Sequence, residues 1–285
     1  MVCRERIAGP RGTVNSVERS PLLSIVTPVY NGIRHIQACL DNVHAQNESA
    51  VEHLIVDGGS TDGTIEVVRD RANHDSRVRL LLGPDRGQSN ALNKGIIAAA
   101  APVIGCLNVD DHYLPGTLAL AIAAFRDTPE PSFLWGACEV RNHADGTSWV
   151  QQPGRLVAWR MALGWDFEPH PVNPASYFYH RSLHFLAGFY DEEEHYAMDL
   201  DFLMRAAPYC RRVIAVDEVL GVFEFAPGTK TFEDMKSGEG QPRAIRVRRR
   251  IEKNLPIMDR ARMFGVRQTQ RLVIAYQHRI LRKRG

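Results

Sequence analysis

Between residues 22 and 125, short apolar runs alternate with longer stretches of helical character. The alternation predicts four strands, each followed by a helix, and therefore βαβ units in a mainly parallel sheet. Ligands of such sheets bind beyond the carboxyl ends of the strands. The predicted strands are Leu22–Val26, Val51–Val56, Val78–Leu82 and Val103–Asn108, and the predicted helices are Ile33–Val43, Thr61–Ala72, Gln88–Ala100 and Pro115–Phe125.

Acids and glycines concentrate directly after these strands, where a ligand site is expected. Asp57 ends an apolar strand and is followed by Gly58 and Gly59. Its carboxylate suits a hydrogen bond from a nucleotide base, and the glycines allow a ligand to approach the backbone closely. An ordinary strand–turn–helix connection with a serine or threonine cap explains the same residues.

Two adjacent carboxylates, Asp110 and Asp111, follow the fourth predicted strand. Such a pair suits Mg²⁺ or Mn²⁺, which prefer oxygen ligands. A cation there would neutralise the charge that develops on a pyrophosphate leaving group. The alternative is a solvated turn before a helix N-terminus, where acids are favoured in any case.

A third acid, Asp199, starts a stretch in which Met198, Phe202 and Leu203 predict a helix with one face in the core. An acid in this position can reach into the crevice as a general base. The commoner explanation is an acid that stabilises the helix N-terminus.

The alternation breaks down after about residue 130. A turn at 144–147 predicts a hairpin of Phe133–Val140 and Ser148–Gln151. Later elements are a strand at Ser176–Tyr179, a helix at Asp199–Ala207, and short strands at Val213–Val216 and Val219–Phe225. We expect a loose arm at 1–20, one domain at 21–240 with halves 21–130 and 131–240, and a basic helical tail at 241–285.

Four segments in this order resemble the family 2 glycosyltransferases of the GT-A fold, and the resemblance covers roughly residues 22–231. It implies an α/β, Rossmann-like fold with a mostly parallel central sheet flanked by helices. It also implies sugar transfer from a nucleoside diphosphate donor, usually with inversion at the anomeric carbon. The segments are Ser24–Asn31, Val56–Thr64, Asp85–Gly95 and Leu107–Pro115.

The resemblance assigns roles to individual residues. The first domain half then binds the donor, with Asp57 reading the base and Asp110 binding Mn²⁺ or Mg²⁺ as the second acid of an Asp-x-Asp motif. Asn108 occupies the position of the first acid. Asp199 matches the catalytic base, with Met198 in the preceding Glu position. The implied donor-binding residues are Thr27, Pro28, Tyr30, Asp57, Asp85, Arg86, Asn93, Asn108, Asp110 and Asp111.

The function expected from the resemblance is metal-dependent inverting hexosyl transfer in glycan or polysaccharide biosynthesis. Asp57 fits a UDP-sugar best, although guanine and thymine donors occur in the family. A sugar nucleotidyltransferase is disfavoured because its glycine-rich basic signature is missing after the first strand. Many relatives carry Arg-x-His where this chain has Glu224 and Ala226, which leaves a noncatalytic nucleotide-sugar-binding protein as the alternative. Lys230 either compensates in part or is a solvated loop lysine.

The sequence contains few signals that identify the acceptor, which is expected to be a saccharide or a lipid-linked molecule. Aromatic faces suit sugar rings, and four aromatic residues of the second domain half are candidates for a sugar groove. Packing in the core or at an interface explains them equally. These residues are Trp159, Trp165, His170 and Tyr177.

The tail at 243–285 carries 14 Lys or Arg but only two acids, Glu252 and Asp259. Pro256 is expected to separate two helices, the second of them amphipathic. Two interpretations stay open: the tail contacts an anionic membrane surface, or it packs on the domain or mediates an oligomer. No nucleic-acid-binding module is recognised, so nucleic acid is not an expected partner.

The chain is expected in the cytoplasm, at the inner face of the membrane if the tail binds lipid. It contains no run of about 18 apolar residues, and residues 1–6 lack the apolar region of a secretory signal. Its five cysteines show no paired spacing, which is typical of reduced thiols.

Overall fold

The computed structural model describes residues 20–165 and 167–281, with side chains placed up to residue 272. The arm predicted at 1–20 therefore lies outside the described residues, apart from Ser20. Within the described ranges, no helix combines the length and apolar character needed to cross a membrane.

The first part of the chain folds into strands that alternate with helices, as predicted. Strands β2 and β4 are buried along their whole length, which explains their nearly continuous apolar sequence. The elements are β1 (Leu23–Val29), α1 (Ile36–Ala45), β2 (Val51–Asp57), α2 (Thr64–His74), β3 (Val78–Leu82), α3 (Gln88–Ala98), β4 (Val103–Cys106), β5 (His112–Tyr113) and α4 (Thr117–Phe125).

The second part extends the sheet and adds the C-terminal helices. The predicted hairpin forms, and the predicted helix around Asp199 is present. The elements are β6 (Ser132–Asn142), β7 (Thr147–Gln151), α5 (Ala158–Leu163), β8 (Tyr177–His180), α6 (Ser182–Ala187), α7 (Met198–Ala206), β9 (Arg212–Phe225), α8 (Lys230–Ser237), α9 (Gly240–Asn254) and α10 (Ile257–Leu281).

The described residues form one nine-stranded sheet in the order β3-β2-β1-β4-β8-β6-β9-β5, with β7 paired to β6. Strands β1 to β4, β6 and β9 run in one direction, while β5, β7 and β8 run in the other. The prediction of an α/β fold with a mostly parallel sheet is confirmed. Because β1 lies between β2 and β4, the loops after these three strands meet at one edge of the sheet.

One strand differs clearly from its prediction. Val213–Val216 and Val219–Phe225 were expected as separate strands, but they are joined in β9, whose register against β6 shifts near Ala137. Asp217 and Glu218 interrupt the apolar pattern without ending the strand because both are exposed to solvent. The short elements β5, α5, α6 and α8 were not predicted.

The largest core cluster joins the sheet to the C-terminal helices. Trp135, Tyr177 and Tyr179 of the sheet belong to it, together with Phe202 and Leu203 of α7. The cluster also contains the buried side chains of Val247, Ile251 and Met263.

Helix α9 packs on α5 and α7 through this cluster. Burying a side chain of this size contributes about 1.5–3 kcal/mol. Arg250 of α9 also donates to Asp191 at 2.9 Å and to the buried Asp201 at 2.7 Å. Helix α9 therefore belongs to the same packed unit as the domain expected to end at residue 240.

Candidate functional site

A cleft of about 1280 Å³ opens at the carboxyl ends of β1, β2 and β4 and is closed on one side by the loop before α8. Its volume exceeds that of a typical small-ligand pocket, about 300–1,000 Å³. Six of the predicted site residues line this cleft: Pro28, Tyr30, Asp85, Asn108, Asp110 and Asp199. The other five lie beside or behind it: Thr27, Asp57, Arg86, Asn93 and Asp111.

The loop after β1 is fixed against the loop after β2. Asn31 adopts a left-handed conformation with φ of 51°. Its backbone N–H donates to Ser60 Oγ at 2.7 Å, and its side-chain Oδ1 accepts from the Thr61 N–H at 2.9 Å. Tyr30, directly before it, remains 66% exposed at the cleft. The loop therefore presents an uncovered aromatic ring on a rigid backbone.

Asp57 is fully buried at the end of β2. Its Oδ1 accepts from the Gly59 N–H at 2.8 Å and from the Ser60 N–H at 2.7 Å. Its Oδ2 is also buried and has no hydrogen-bond partner among the described residues. Buried polar atoms are nearly always paired, so this oxygen is suited to a donor brought by a ligand.

The loops after β2 and β3 meet at Gly58, which lines the cleft beside Asp57. A side chain at Gly58 would collide with the carboxylate of Asp85. Asp85 in turn accepts from the Gly87 N–H at 2.9 Å. A side chain at position 58 would therefore displace the Asp85 carboxylate from its present position beside the cleft.

Three other predicted residues have structural contacts. Thr27 Oγ1 lies 3.0 Å from His53 Nε2 in the core. Asn93 joins α3 to the chain at Tyr190, with hydrogen bonds of 3.0 Å to the Tyr190 carbonyl and N–H. Arg86 forms an ion pair with Glu192 at 2.6 Å. These contacts position the walls of the cleft.

The two adjacent acids after β4 are separated by the fold. Asp110 lines the cleft, whereas Asp111 is buried behind it. Asp111 accepts from Asn108 Nδ2 at 2.8 Å, from Asn173 Nδ2 at 2.7 Å and from the Glu224 N–H at 3.0 Å. Both of its oxygens are thus engaged, and it anchors Asn108 and β9 behind the cleft.

The chemistry of the cleft fits a divalent cation bound at Asp110. Burial raises the pKa of Asp110, and the nearby charge of Glu224 raises it further. No group of three or more His, Cys, Asp or Glu residues could hold a metal within the described part of the chain. Mg²⁺-type sites commonly use one or two carboxylates together with substrate phosphates. A single carboxylate at Asp110 is therefore sufficient if a diphosphate supplies further oxygens.

The balance of charge in the cleft supports the same conclusion. Among the described lining residues, the cations apart from histidine are Arg34 and Lys230. The acids that line the cleft are Asp62, Asp85, Asp110, Asp199 and Asp234. An anionic diphosphate entering this acidic cleft needs an additional positive charge close by.

Asp199 lies in the first turn of α7 and is half-buried at the cleft. Its Oδ1 accepts from Tyr177 Oη at 2.8 Å. Tyr177 is fully buried and stacks on Phe133, so it holds the carboxylate in one orientation. Burial raises the pKa of Asp199, while the Tyr177 hydrogen bond and the charge of Lys230 lower it. A carboxylate with a raised pKa and a fixed orientation is suited to general-base chemistry.

Lys230 begins α8 and lines the cleft near Asp199. Its Nζ donates to Gln88 Oε1 at 3.0 Å, and Gln88 Nε2 donates to Asn108 Oδ1 at 2.8 Å. Partial desolvation by the surrounding cleft lowers the pKa of Lys230, and the charge of Asp199 raises it. The lysine is thus linked through Gln88 to the loop that carries Asp110.

Glu224 and Ala226 occupy different environments at the end of β9. The Glu224 carboxylate lies 2.6 Å from His143 Nε2 and accepts from Arg141 at 3.4 Å, whereas Ala226 lines the cleft. Lys230 therefore supplies the positive charge of this loop inside the cleft.

The aromatic groove considered from the sequence does not form. Trp159 packs against the core, Trp165 contacts His170 edge-on at 4.8 Å between ring centroids, and Tyr177 is buried beside Asp199. None of these four residues lines the described cleft. The aromatic side chains that line it are Tyr30, Tyr196 and Phe223, with His35 and His195.

Several contributors to the cleft were not found from the sequence. Gln88 lies in the segment Asp85–Gly95, but nothing in the sequence indicates that it joins Lys230 to Asn108. Asn173 and His195 stand in irregular segments that carry no recognisable pattern. The sequence offers Tyr177 only as a candidate sugar contact. Its hydrogen bond to Asp199 could not be predicted because that bond depends on the tertiary fold.

The family model for glycosyl transferase family 2 matches residues 24–184, more than half of the chain. Chondroitin synthase from Pasteurella multocida (strain Pm70) is 35% identical over 109 residues, which are 38% of this chain and 11% of that protein. The chain thus spans a small part of that relative's length.

Two solved structures share the fold. The S. aureus TarS 1–349 complex with UDP-GlcNAc aligns with a TM-score of 0.61 and 20% identity, covering 74% of this chain and 60% of that one. The mannosyltransferase PcManGT from Pyrobaculum calidifontis, in complex with GDP-Man and Mn²⁺, aligns with a TM-score of 0.54 and 18% identity. The alignment covers 88% of this chain and 81% of that one. These similarities confirm the expected GT-A fold, and the match of the family model establishes that the chain belongs to glycosyl transferase family 2.

Proposed function

We propose that this chain is a metal-dependent inverting glycosyltransferase that moves a hexose from a UDP-sugar to a saccharide or lipid-linked acceptor in glycan or polysaccharide biosynthesis. The observation that carries the proposal is that Asp110 and Asp199 line one cleft. The first is suited to a metal-bound diphosphate and the second to a general base. The complexes of TarS with UDP-GlcNAc and of PcManGT with GDP-Man and Mn²⁺ support a nucleotide-sugar donor.

The nucleotide end of the donor is assigned to the loops after β1 and β2. The exposed Tyr30 ring offers a face for stacking on the base. Asp57 offers its unpaired buried Oδ2 to a base N–H, which the uracil ring possesses. Asp85, which lies beside Gly58 and lines the same cleft as Asp110, is assigned to the part of the donor near the nucleotide.

Asp110 is the residue assigned to hold Mn²⁺ or Mg²⁺. The cation would supply positive charge that stabilises the departing diphosphate. Asn108 and Asp111 support this loop, because Asn108 donates to Asp111 and accepts from Gln88.

Asp199 removes the proton from the acceptor hydroxyl. The acceptor oxygen then forms a bond to the anomeric carbon on the face opposite the diphosphate, and the carbon–oxygen bond to the diphosphate breaks. The configuration at the anomeric carbon is therefore inverted. Tyr177 contributes by keeping the Asp199 carboxylate aimed at the acceptor, since catalysis depends strongly on orientation.

We predict that Tyr177→Phe shifts the acidic limb of the pH–rate profile to higher pH. The Tyr177 hydrogen bond lowers the pKa of Asp199, so its loss raises that pKa and leaves less ionised base at low pH. Turnover at the optimum falls about tenfold as orientation is lost. Turnover measured across pH tests both effects.

Tyr179→Phe is the matched control for this prediction. Tyr179 is equally buried in the same strand, but its hydroxyl contacts His184 and Tyr190 instead of Asp199. An equal shift of the acidic limb in both variants would show that the effect comes from general loosening of the core.

We predict that Lys230→Met weakens binding of the donor diphosphate about tenfold, the value of one charge-assisted hydrogen bond. It also moves the acidic limb to higher pH, because the positive charge of Lys230 lowers the pKa of Asp199. Calorimetry and the pH–rate profile measure the two effects separately. Lys236→Met, in the same helix but outside the cleft lining, should change neither; unaltered donor affinity in Lys230→Met contradicts the phosphate contact.

The enzyme is tested by measuring UDP release from UDP-sugars, with and without Mn²⁺ and a panel of saccharide and lipid-linked acceptors. Metal-dependent release in the wild-type chain, with loss in Asp199→Asn, is the expected result. Metal-dependent binding without release or transfer under any condition favours the alternative, a noncatalytic nucleotide-sugar-binding protein, which the residues Glu224 and Ala226 suggest.

A further inference from the structure

Helices α9 and α10 use their apolar residues in different ways. Helix α9 buries Val247 and Ile251 in the core. Helix α10 buries Met263 in the same cluster but leaves four large apolar side chains in solvent. These are Ile257, Met258, Phe264 and Leu272, with exposed fractions of 77%, 66%, 64% and 71%.

The four exposed side chains form one stripe. At about 100° per residue, they fall within an arc of about 120° on α10, and Met263 projects from the opposite side. The stripe is therefore not a second core-facing surface. Contiguous apolar patches on a water-exposed protein surface mark sites that bind another protein, a membrane or a ligand.

Basic residues border the stripe on both sides. Arg260 and Arg271 follow the edge next to Phe264. Arg262, which pairs with Asp259 at 2.8 Å, follows the edge next to Met258. All three arginines are exposed. Arg246, Arg249 and Lys253 of the adjoining helix α9 are exposed as well.

We propose that this stripe of α10 docks the protein on the surface of an anionic phospholipid bilayer, with α10 lying in the interface plane. The apolar side chains would enter the headgroup–acyl boundary while the arginines contact lipid phosphates. The surface is distinct from the cleft, so the inference goes beyond the donor chemistry and does not depend on it.

Charge decides between a bilayer and a second copy of the chain. Residues 243–285 contain 14 Lys or Arg and two acids. Packing the stripe of one copy on the same stripe of another would bring arginine borders of like charge together, which is unfavourable. An anionic bilayer neutralises both borders, and each arginine near its surface strengthens the attraction.

The test is co-sedimentation of the full chain with vesicles of phosphatidylcholine alone or mixed with phosphatidylglycerol, at low and high salt. We expect binding to the anionic vesicles that weakens with salt, and little binding to the neutral ones. Arg260→Ala with Arg271→Ala should lower the partition coefficient about thirtyfold. Phe264→Ser with Leu272→Ser should lower it at least about tenfold.

Matched controls use equally exposed residues elsewhere. Ile97→Ser removes an apolar side chain that is 63% exposed on α3, and Arg69→Ala with Arg126→Ala removes two exposed arginines. Absence of wild-type binding to anionic vesicles overturns the proposal, as does an equal loss in the control variants. The proposal is also overturned if light scattering shows that the wild-type chain is a dimer, and if Phe264→Ser with Leu272→Ser dissociates this dimer without changing vesicle binding. Stabilisation by UDP, measured on the same proteins, shows separately whether the cleft is intact.

Discussion

Asp199→Asn is expected to lower sugar transfer about a thousandfold while leaving donor affinity essentially unchanged. Asparagine has nearly the same shape and still accepts the hydrogen bond from Tyr177, but it cannot take a proton from the acceptor. Loss of a positioned general base costs about a hundred- to ten-thousandfold in rate. The measurement is UDP release at saturating donor, with the donor dissociation constant determined by calorimetry.

The control for this prediction is Asp201→Asn in the same helix. Asp201 is buried and accepts from Arg205 and Arg250, so its loss destabilises α7 without touching the cleft. That variant should have a lower melting temperature but a turnover per folded molecule close to the wild-type value. Full turnover in Asp199→Asn would falsify the assignment of the base.

Asp110→Ala is expected to abolish the part of donor affinity that depends on Mn²⁺, a loss of at least about a hundredfold. The reason is that Asp110 is the carboxylate assigned to the metal, and Asp111 is buried with both oxygens engaged. Calorimetric titration of UDP, with and without Mn²⁺, measures the effect. Binding without metal should be weak and similar in wild type and variant.

Asp234→Ala serves as the comparison, because Asp234 also lines the cleft but belongs to α8 and not to the loop that carries Asp110. It should retain metal-dependent affinity. If Asp110→Ala bound UDP with full metal-dependent affinity, the metal assignment would be wrong.

Much of the first half of the domain, residues 21–130, could be predicted because its local patterns coincide with its tertiary structure. Strands β1, β2 and β4 are buried, so their apolar runs are nearly continuous. Parallel strands separated by helices bring their carboxyl ends to one edge, and this placed Asp110 at the cleft. The same argument could not show that Asp111 turns away, because two adjacent residues share one pattern while their side chains differ in direction.

The features that were harder to predict are short elements and contacts between residues that lie far apart in the sequence. Strand β5 has two residues and forms by pairing with β9. The Tyr177–Asp199 hydrogen bond joins a strand to a helix across 22 positions, and Lys230 reaches Gln88 across 142. No periodicity in the sequence encodes such contacts.

The two helices of the tail have similar composition but place their apolar residues differently. Its basic and apolar residues predicted helices on both sides of Pro256, and α9 and α10 lie there. The sequence could not show that α9 buries Val247 and Ile251 in the core. The stripe on α10 is the part of the tail to which we assign the proposed lipid contact.

The most direct test of the donor site is a thermal-shift screen of the wild-type chain against UDP-, GDP- and dTDP-sugars, with and without Mn²⁺. A ligand that binds the native state alone stabilises it by an amount that grows with the logarithm of the ligand concentration divided by the dissociation constant. At equal concentration, the tighter ligand therefore raises the melting temperature more. We predict selective stabilisation by UDP-sugars that requires the metal. Stabilisation by no donor, or equal stabilisation with and without Mn²⁺, would contradict a metal-dependent nucleotide-sugar site in this cleft.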